Sequence, residues 1–265
     1  MTDYHIHTAL SFDAEPPMKS MAAAAQRAGL TEIGFAEHID IDFPWSGEES
    51  TVVDLHAYRR EIEDARRAFP SLRIRKGVEM GLDALYYKTA ARMIEGQDLD
   101  FVIGSLHLVD RKNPYYPSFW DEYSKHEAFA RYAELLAETA QAEEIYDIIG
   151  HIGYIGKFYP HQDKVFKYAD YPDAIDTALK TFIEKGKGIE VNTSTLKNTA
   201  SAMPETAIVR RYFELGGEIV TVGSDAHTPE QVGFAVRDTL DLLKSIGFKY
   251  TCGFEGRQPI FMPIP

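Results

Sequence analysis

The amino-acid sequence predicts an α/β protein whose strands form a distorted (β/α)7 barrel, similar to a TIM barrel. Short apolar runs with the length of strands alternate with longer amphipathic runs with the period of helices. This alternation is typical of βαβ units and of a parallel sheet, and seven units within about 250 residues favour a barrel. We therefore expect residues 1–265 to form a single barrel domain.

Each predicted strand is followed by a predicted helix. The strands are expected at 2–7, 32–37, 73–79, 101–106, 147–150, 188–192 and 219–223. The helices are expected at 17–29, 54–68, 83–95, 122–143, 171–186, 204–215 and 229–246. No repeat, low-complexity segment or Pro/Gly-rich linker interrupts this series, which supports one domain.

The composition narrows the class of protein. A hydrophobic fraction of 45% and a charged fraction of 26% are ordinary for a globular protein, and no apolar run is long enough to span a membrane. The net charge of −13 disfavours general nucleic-acid binding, because an acidic surface repels phosphates. The N-terminus has no secretory pattern and Cys252 is the single cysteine, so we expect a cytoplasmic protein without an intramolecular disulfide.

Two long loops directly follow predicted strands. The first covers residues 39–51, and the second, 108–121, is unusually rich in aromatic side chains. Loops after strands form the active-site face of a β/α barrel. They are therefore candidate lids or substrate walls, although their aromatic residues could instead cap the barrel.

The histidines provide the strongest functional signal. Of nine in the chain, six fall at or just beyond the carboxyl ends of predicted strands: His5, His7, His38, His107, His151 and His227. Packing alone does not account for such a collection, because imidazole nitrogens need polar partners when buried. Divalent metal ions are the commonest partners of clustered histidines.

The spacing of these residues agrees with a metal centre. His5 and His7 are two residues apart, so on a strand they share a face, about 6.6 Å apart along the chain. Asp225 and His227 repeat this spacing after the last predicted strand. Closure of a barrel makes its first and last strands neighbours, which would bring the two pairs together.

Carboxylates complete the candidate ligand set. Glu79 ends a predicted strand, and its two oxygens could bridge two metals. Asp13 lies in the first loop and could reach the same rim. Glu37 and His38 are adjacent, so only one can face inward. We expect His38 to do so, because bulky apolar residues share the face of Glu37.

Six short motifs, in order along the chain, resemble those of the PHP family (polymerase and histidinol phosphatase), and specifically its stand-alone histidinol-phosphate phosphatases. They are His5-Ile6-His7-Thr8, Ala36-Glu37-His38, Gly77-Val78-Glu79, Gly104-Ser105-Leu106-His107, Ile149-Gly150-His151 and Gly223-Ser224-Asp225-Ala226-His227. The segment Glu190-Val191-Asn192-Thr193-Ser194 is also similar to that subfamily. The resemblance implies a PHP-type barrel and two or three divalent metal ions, either Zn, Fe or Mn.

The resemblance also implies three ligand sets. The first is His5, His7, Glu79 and Asp225; the second is Glu79, His107 and His151; the third is Asp13, His38 and His227. Glu79 would bridge the first two metals, and Glu79, Asp225 and His227 would be catalytic. Some relatives have histidine in place of Asp13, and many have a carboxylate where Gly153 stands here.

The implied reaction is hydrolysis of L-histidinol phosphate to L-histidinol and phosphate, a step of histidine biosynthesis, by water activated on a metal. By the same resemblance, Lys157 and Lys197 would bind the phosphate. Glu15, Asp40, Asp42 or the aromatic residues of 115–120 could bind the amine and imidazole. The sequence leaves the oligomeric state open.

Three other interpretations remain at this point. The chain could be a PHP phosphoesterase that acts on nucleotides or other small phosphate esters. It could be an amidohydrolase-type barrel, although Glu79 and the late Asp225/His227 pair disfavour this. It could also be a metal-binding module without activity, but all nine candidate positions carry competent ligands.

Overall fold

The structure, a computed structural model, describes residues 1–47, 51–140 and 145–265. Seven parallel strands pair in the order in which they occur along the chain, which confirms the predicted (β/α)7 barrel. The strands are β1 (Thr2–Ile6), β2 (Glu32–Ile39), β3 (Arg73–Gly81), β4 (Phe101–Ser105), β5 (Ile148–Ile149), β6 (Gly188–Asn192) and β7 (Val220–Gly223).

Helices connect the strands. They are α1 (Met18–Arg27), α2 (Leu55–Ala68), α3 (Tyr87–Ile94), α4 (Pro117–Glu122), α5 (Lys125–Ala140), α6 (Ile155–Phe158), α7 (Pro172–Glu184), α8 (Thr206–Glu214) and α9 (Val236–Ile246). Each predicted helical run contains one of the longer helices; the end of the run 122–143 lies outside the described residues. No helix in the described part of the chain is both long and apolar enough to cross a membrane.

The ring of strands closes between β1 and β7. The amide of His7 donates to the carbonyl of Ala226 at 2.9 Å, and the amide of Ala226 donates to the carbonyl of His5 at 3.2 Å. The buried carboxylate of Asp3 strengthens this junction, because it accepts hydrogen bonds from the amides of Ser224 at 2.9 Å and Gly233 at 2.8 Å. The carboxyl ends of the first and last strands are therefore direct neighbours.

The barrel interior is filled at the end opposite to the histidines. Tyr4 and Phe101 pack edge to face with ring centroids 5.1 Å apart, and both are buried. Gly77 allows Phe101 this position, because a β-carbon there would lie 2.2 Å from the ring. The packed rings fill the interior at this end, so the open end is the one where the strands finish.

An antiparallel hairpin, β8 (Tyr250–Glu255) and β9 (Gln258–Pro263), covers the filled end of the barrel and was not predicted. The amide of Phe254 donates to the hydroxyl of Tyr4 at 2.9 Å, which ties the hairpin to the barrel interior. A turn signal was present, because Gly256 separates two apolar runs and has a positive φ, as hairpin turns require.

The predicted helix over 229–246 was wrong in its first half. A 3-10 turn covers Pro229–Gln231, and α9 begins at Val236. Gly233 and Ala235 both have positive φ values, of 74° and 52°, which no α-helix tolerates. The amide of Gly233 donates to Asp3, so the break in the helix lies where the chain contacts the β1–β7 junction that closes the barrel. The short helix α4 was also missed, although Pro117 at its first turn is a typical start signal.

Candidate metal centre

All nine candidate ligands converge at the carboxyl end of the barrel. The side chains come from six strands or from the loops that directly follow them: His5, His7, Asp13, His38, Glu79, His107, His151, Asp225 and His227. The other three histidines, His56, His126 and His161, belong to none of these groups. The fold therefore collects the side chains that the sequence analysis singled out.

Glu79 lies at the centre of the cluster, with a relative exposure of 1%. Its Oε1 atom is 3.0 Å from His107 Nε2 and 2.7 Å from His151 Nε2. Its Oε2 atom is 3.2 Å from His5 Nε2 and 3.5 Å from His7 Nε2. Oε2 also lies 3.3 Å from Nδ1 of His38, so each oxygen faces its own group of imidazoles.

Asp225 approaches the first pair of imidazoles from β7. Its Oδ1 atom is 3.8 Å from His5 Nε2 and 3.6 Å from His7 Nε2. Asp225 has a φ of 54°, in the left-handed region where Asp is one of the few tolerated residues. This backbone turn directly precedes Ala226, which forms the closing bridge with Ile6, so the closure of the barrel brings Asp225 to His5 and His7.

A second group lies nearer to solvent. Asp13 Oδ2 is 3.0 Å from His227 Nε2 and 3.5 Å from His38 Nε2. The ring of His7 packs between those of His38 and His227, with centroid distances of 4.4 and 4.5 Å. Asp13, His7, His38 and His227 can each offer one ligand atom within 4.8 Å of the others. The loop residue Asp13 therefore does reach the rim.

Several imidazole nitrogens in the cluster are buried without a hydrogen-bond partner. Among the described residues, these include Nε2 of His5, His7 and His38. An unpaired buried polar atom costs about 1–3 kcal/mol. The three Nε2 atoms face carboxylates of the same cluster. Metal ligands without bound cations have this arrangement, so the residues fit divalent metals.

The charge states of the cluster without metals are mixed. Burial lowers the pKa values of His5, His38, His107 and His227, but the nearby carboxylates outweigh it and raise them. Burial and the neighbouring imidazoles of His38 and His227 lower the pKa of His7 to about 3, which keeps it neutral. Burial opposes the ionisation of Glu79, but His5, His107 and His38 outweigh it and hold the pKa of Glu79 well below its usual range. Because neutral imidazole and ionised carboxylate are the forms that bind metals, cation binding would displace the protons of the imidazoles whose pKa is raised.

Two buried carboxylates that contact these histidines were not predicted as parts of the site. Glu190 Oε1 lies 2.6 Å from His5 Nδ1. Asp40 lies between His38 and His107, 2.9 and 2.8 Å from their Nδ1 atoms. Glu190 belongs to the segment that resembled the family, which was the available signal. Asp40 was expected only as one of several candidates for substrate recognition, and its carboxylate is buried against two imidazoles.

Glu37 does not face the cluster. Its carboxylate accepts hydrogen bonds from the hydroxyl groups of Thr8 at 2.7 Å and Ser11 at 2.6 Å. The prediction that His38, rather than Glu37, points inward agrees with this arrangement. Glu37 instead holds the loop after β1 in place.

A cleft of about 470 Å³ lies above the cluster. Its aromatic wall comes from several loops and from the end of α6: Phe12, Phe43, Trp45, Tyr115 and Phe158. The two long loops predicted as walls contribute to it and contact each other, since the amide of Ser46 donates to the hydroxyl of Tyr116 at 2.9 Å. Phe119 and Trp120, in contrast, pack towards the core, and residues 48–50 of the first loop lie outside the described residues.

Lys157 and Lys197 both line this cleft. Lys157 Nζ is 3.6 Å from Asp225 Oδ2, which places a positive charge beside the cluster. Lys197 Nζ lies 4.9 Å from the centre of the Phe234 ring. Two ammonium groups therefore flank the space in front of the carboxylates, where an anion could bind.

The PHP domain family matches residues 3–194. The chain is 29% identical to a probable histidinol-phosphatase of Clostridium acetobutylicum, over 93% of this chain and 94% of that protein. It is 30% identical to a probable histidinol-phosphatase of Deinococcus radiodurans, over 97% and 98% of the two chains. The crystal structure of histidinol phosphate phosphatase from Lactococcus lactis, complexed with Zn, L-histidinol and phosphate, has a TM-score of 0.90, 27% identity and 98% coverage of both chains.

The unpaired nitrogens predict that metal binding stabilises the fold. Zn²⁺ added to chelator-treated protein at about 100 times its Kd should stabilise the folded state by about 2.7 kcal/mol per site. For a chain of this size we expect a rise in Tm of roughly 5–10 °C per site, measured by calorimetry. The Asp13→Ala variant should show a smaller rise, and His126→Ala, which lies outside the cluster, should behave as the wild type. An unchanged Tm in the wild type would contradict the metal centre.

Proposed function

The chain belongs to the PHP domain family, and we propose that it is a metal-dependent phosphomonoesterase that hydrolyses L-histidinol phosphate to L-histidinol and phosphate. The observation that carries the proposal is the position of Glu79 between two pairs of imidazoles, beneath a cleft with two lysines. The relative from Lactococcus lactis, whose structure contains L-histidinol and phosphate, supports the choice of substrate.

The proposed ligands form the three sets that the sequence analysis assigned. His5, His7, Glu79 and Asp225 would hold one cation, and Glu79, His107 and His151 a second. Asp13, His38 and His227 would hold a third. When bound, such divalent ions polarise the phosphate and lower the pKa of bound water to about 7. Imidazole with carboxylate ligands suits Zn, Fe and Mn.

The protein's own residues would bind and orient the phosphate. Lys157 now faces Asp225, and a phosphate in the cleft would place its oxygens within reach of this ammonium group and that of Lys197. Neighbouring cationic groups hold the pKa of Asp225 well below its usual range against the effect of burial, so it stays ionised beside the substrate. The two lysines would therefore supply fixed positive charge that compensates the charge of the substrate.

The aromatic wall is the proposed binding site for the leaving group. Of the acidic residues considered for the substrate's amine, Asp40 is buried against two imidazoles, and Asp42 pairs with Arg111 on the surface. Glu15 does not line the cleft. Faces of Trp45 and Tyr115 remain available for stacking on the imidazole and for a cation–π contact with the ammonium group.

A panel of phosphate esters tests the proposed activity directly. Phosphate release from histidinol phosphate should exceed release from nucleotides and sugar phosphates, and chelation should abolish it. Metal content should be determined on the same sample. A preference for other esters would keep the metal centre but assign a different substrate, whereas metal-loaded protein without activity on any ester would support a binding module.

The two lysines should each contribute to catalytic efficiency. A charged hydrogen bond is worth about 1.5–3 kcal/mol, so Lys157→Ala and Lys197→Ala should each lower kcat/KM by roughly 10- to 100-fold. Lys249→Ala is a matched control, because this lysine lines a different cavity, beside the hairpin. A lysine whose removal leaves kcat/KM unchanged does not bind the phosphate.

The aromatic wall should determine selectivity rather than the chemical step. Tyr115 is 54% exposed, so Tyr115→Ala should not perturb folding. Loss of its ring should raise KM for histidinol phosphate by roughly 3- to 10-fold, as expected for an aromatic contact of about 0.5–1.5 kcal/mol. Glycerol phosphate, which lacks a ring, should be unaffected, and Tyr115→Phe should retain wild-type KM. Equal losses for both substrates would argue against a specific contact.

A further inference from the structure

Asp40 contacts two histidines that belong to different proposed ligand sets. Its Oδ2 atom is 2.9 Å from Nδ1 of His38, and its Oδ1 atom is 2.8 Å from Nδ1 of His107. We propose that Asp40 is a positioning residue that holds both imidazoles with Nδ1 protonated and Nε2 free, and thereby links the second and third metal positions. This inference rests on the metal ligands proposed above.

The fold provides a specific space for this carboxylate. Asp40 directly follows β2 and is 3% exposed. Beside it, on β3, stands Gly81, where a β-carbon would lie 2.1 Å from Asp40 Oδ1. The backbone of Asp40 is also held, because its amide donates to the carbonyl of Thr51 at 2.9 Å. The carboxylate therefore has little freedom to turn away from the two rings.

The second nitrogen of each ring indicates that Asp40 orients the ligands rather than binding a metal itself. Nε2 of His107 is 3.0 Å from Glu79 Oε1, and Nε2 of His38 is 3.5 Å from Asp13 Oδ2. A neutral imidazole that donates from Nδ1 has its lone pair at Nε2, directed at these ligand sets. A cation held between Asp40 and the two Nδ1 atoms would require the opposite arrangement of protons.

Glu190 provides a useful contrast. It contacts Nδ1 of His5 alone among the imidazoles, at 2.6 Å, and His5 belongs to the first ligand set. Carboxylates that accept from a ligand histidine fix its tautomer and its orientation, and their loss typically weakens metal binding about 10- to 100-fold. Glu190 would support one metal position, whereas a change at Asp40 should affect two positions together.

Histidine-selective ¹⁵N NMR of the Zn²⁺-loaded protein measures the proposed tautomers. The signals of His38 and His107 can be assigned with His38→Gln and His107→Gln variants. Both rings should carry their proton on Nδ1. A proton on Nε2 of either ring, with Zn²⁺ bound, would overturn this inference and leave the metal assignment intact. A wild-type protein that binds no Zn²⁺ would overturn both.

Asp40→Asn provides the second test, because the amide has one accepting oxygen and can accept from only one of the two Nδ1–H groups. Dialysis against chelators of increasing strength should remove Zn²⁺ from the variant at about 10- to 100-fold lower chelator strength than from the wild type. Gly81→Ala, which displaces the carboxylate without removing it, should shift release in the same direction. Calorimetry of the metal-free variants would establish that they fold.

Asp42→Asn is the matched control, since Asp42 lies two residues further along the loop and pairs with Arg111 and Tyr86 at the surface. It should release Zn²⁺ as the wild type does. Wild-type Zn²⁺ retention in Asp40→Asn, with both Nδ1 protons still present, would overturn the proposed role of Asp40.

Discussion

The contact between β1 and β7 is the constraint on which the rest of the site depends. Two backbone hydrogen bonds at Ala226 close the ring of strands, and the carboxylate of Asp3 holds the chain on both sides of that contact. His5, His7, Asp225 and His227 lie at or within two residues of it. The same bonds that complete the barrel therefore set the distances among four of the nine candidate ligands.

The charges of the cluster are balanced in layers from the centre outwards. Glu79 is surrounded by imidazoles, which are in turn held from behind by Asp40 and Glu190. The outer groups lower the free-energy cost of burying the inner ones, because the imidazoles donate hydrogen bonds to the buried carboxylates of this cluster. Among the described residues, three of the six buried side-chain atoms without a hydrogen-bond partner are the Nε2 atoms of His5, His7 and His38, which lie together in this cluster.

Much of this architecture was predictable because it rests on local periodicity. The alternation of strands and helices predicted the (β/α)7 barrel, and the two-residue spacings of His5 with His7 and of Asp225 with His227 predicted that each pair faces inward. The alternation and the His5/His7 pair follow from the geometry of a strand and from the closure of a barrel. Asp225, in contrast, lies beyond β7 in a left-handed backbone conformation, so its position depends on the turn there. The family relationship, which the ordered motifs indicated, is confirmed by the match over residues 3–194.

The rest depended on contacts between residues far apart in the chain. Asp40 meets His107 across 67 residues, and Glu190 meets His5 across 185, and no local pattern encodes either pairing. The hairpin β8–β9 and the break at Gly233 were missed for the same reason, since both serve contacts with the opposite end of the sequence, at Tyr4 and Asp3. The role of the nine side chains as ligands stays a proposal, although the fold brings them together.

The closure of the ring also has a consequence for the order of events during protein synthesis. Each of the strands β1 to β6 pairs with the next strand along the chain, which is translated soon after it. The other neighbour of β1 is β7, the last strand of the barrel to be translated. Of the three proposed ligand sets, only Glu79, His107 and His151 are present before β7 is translated. All ligands of one proposed cation site are therefore present before β7 is made, whereas the other two sites also need Asp225 or His227.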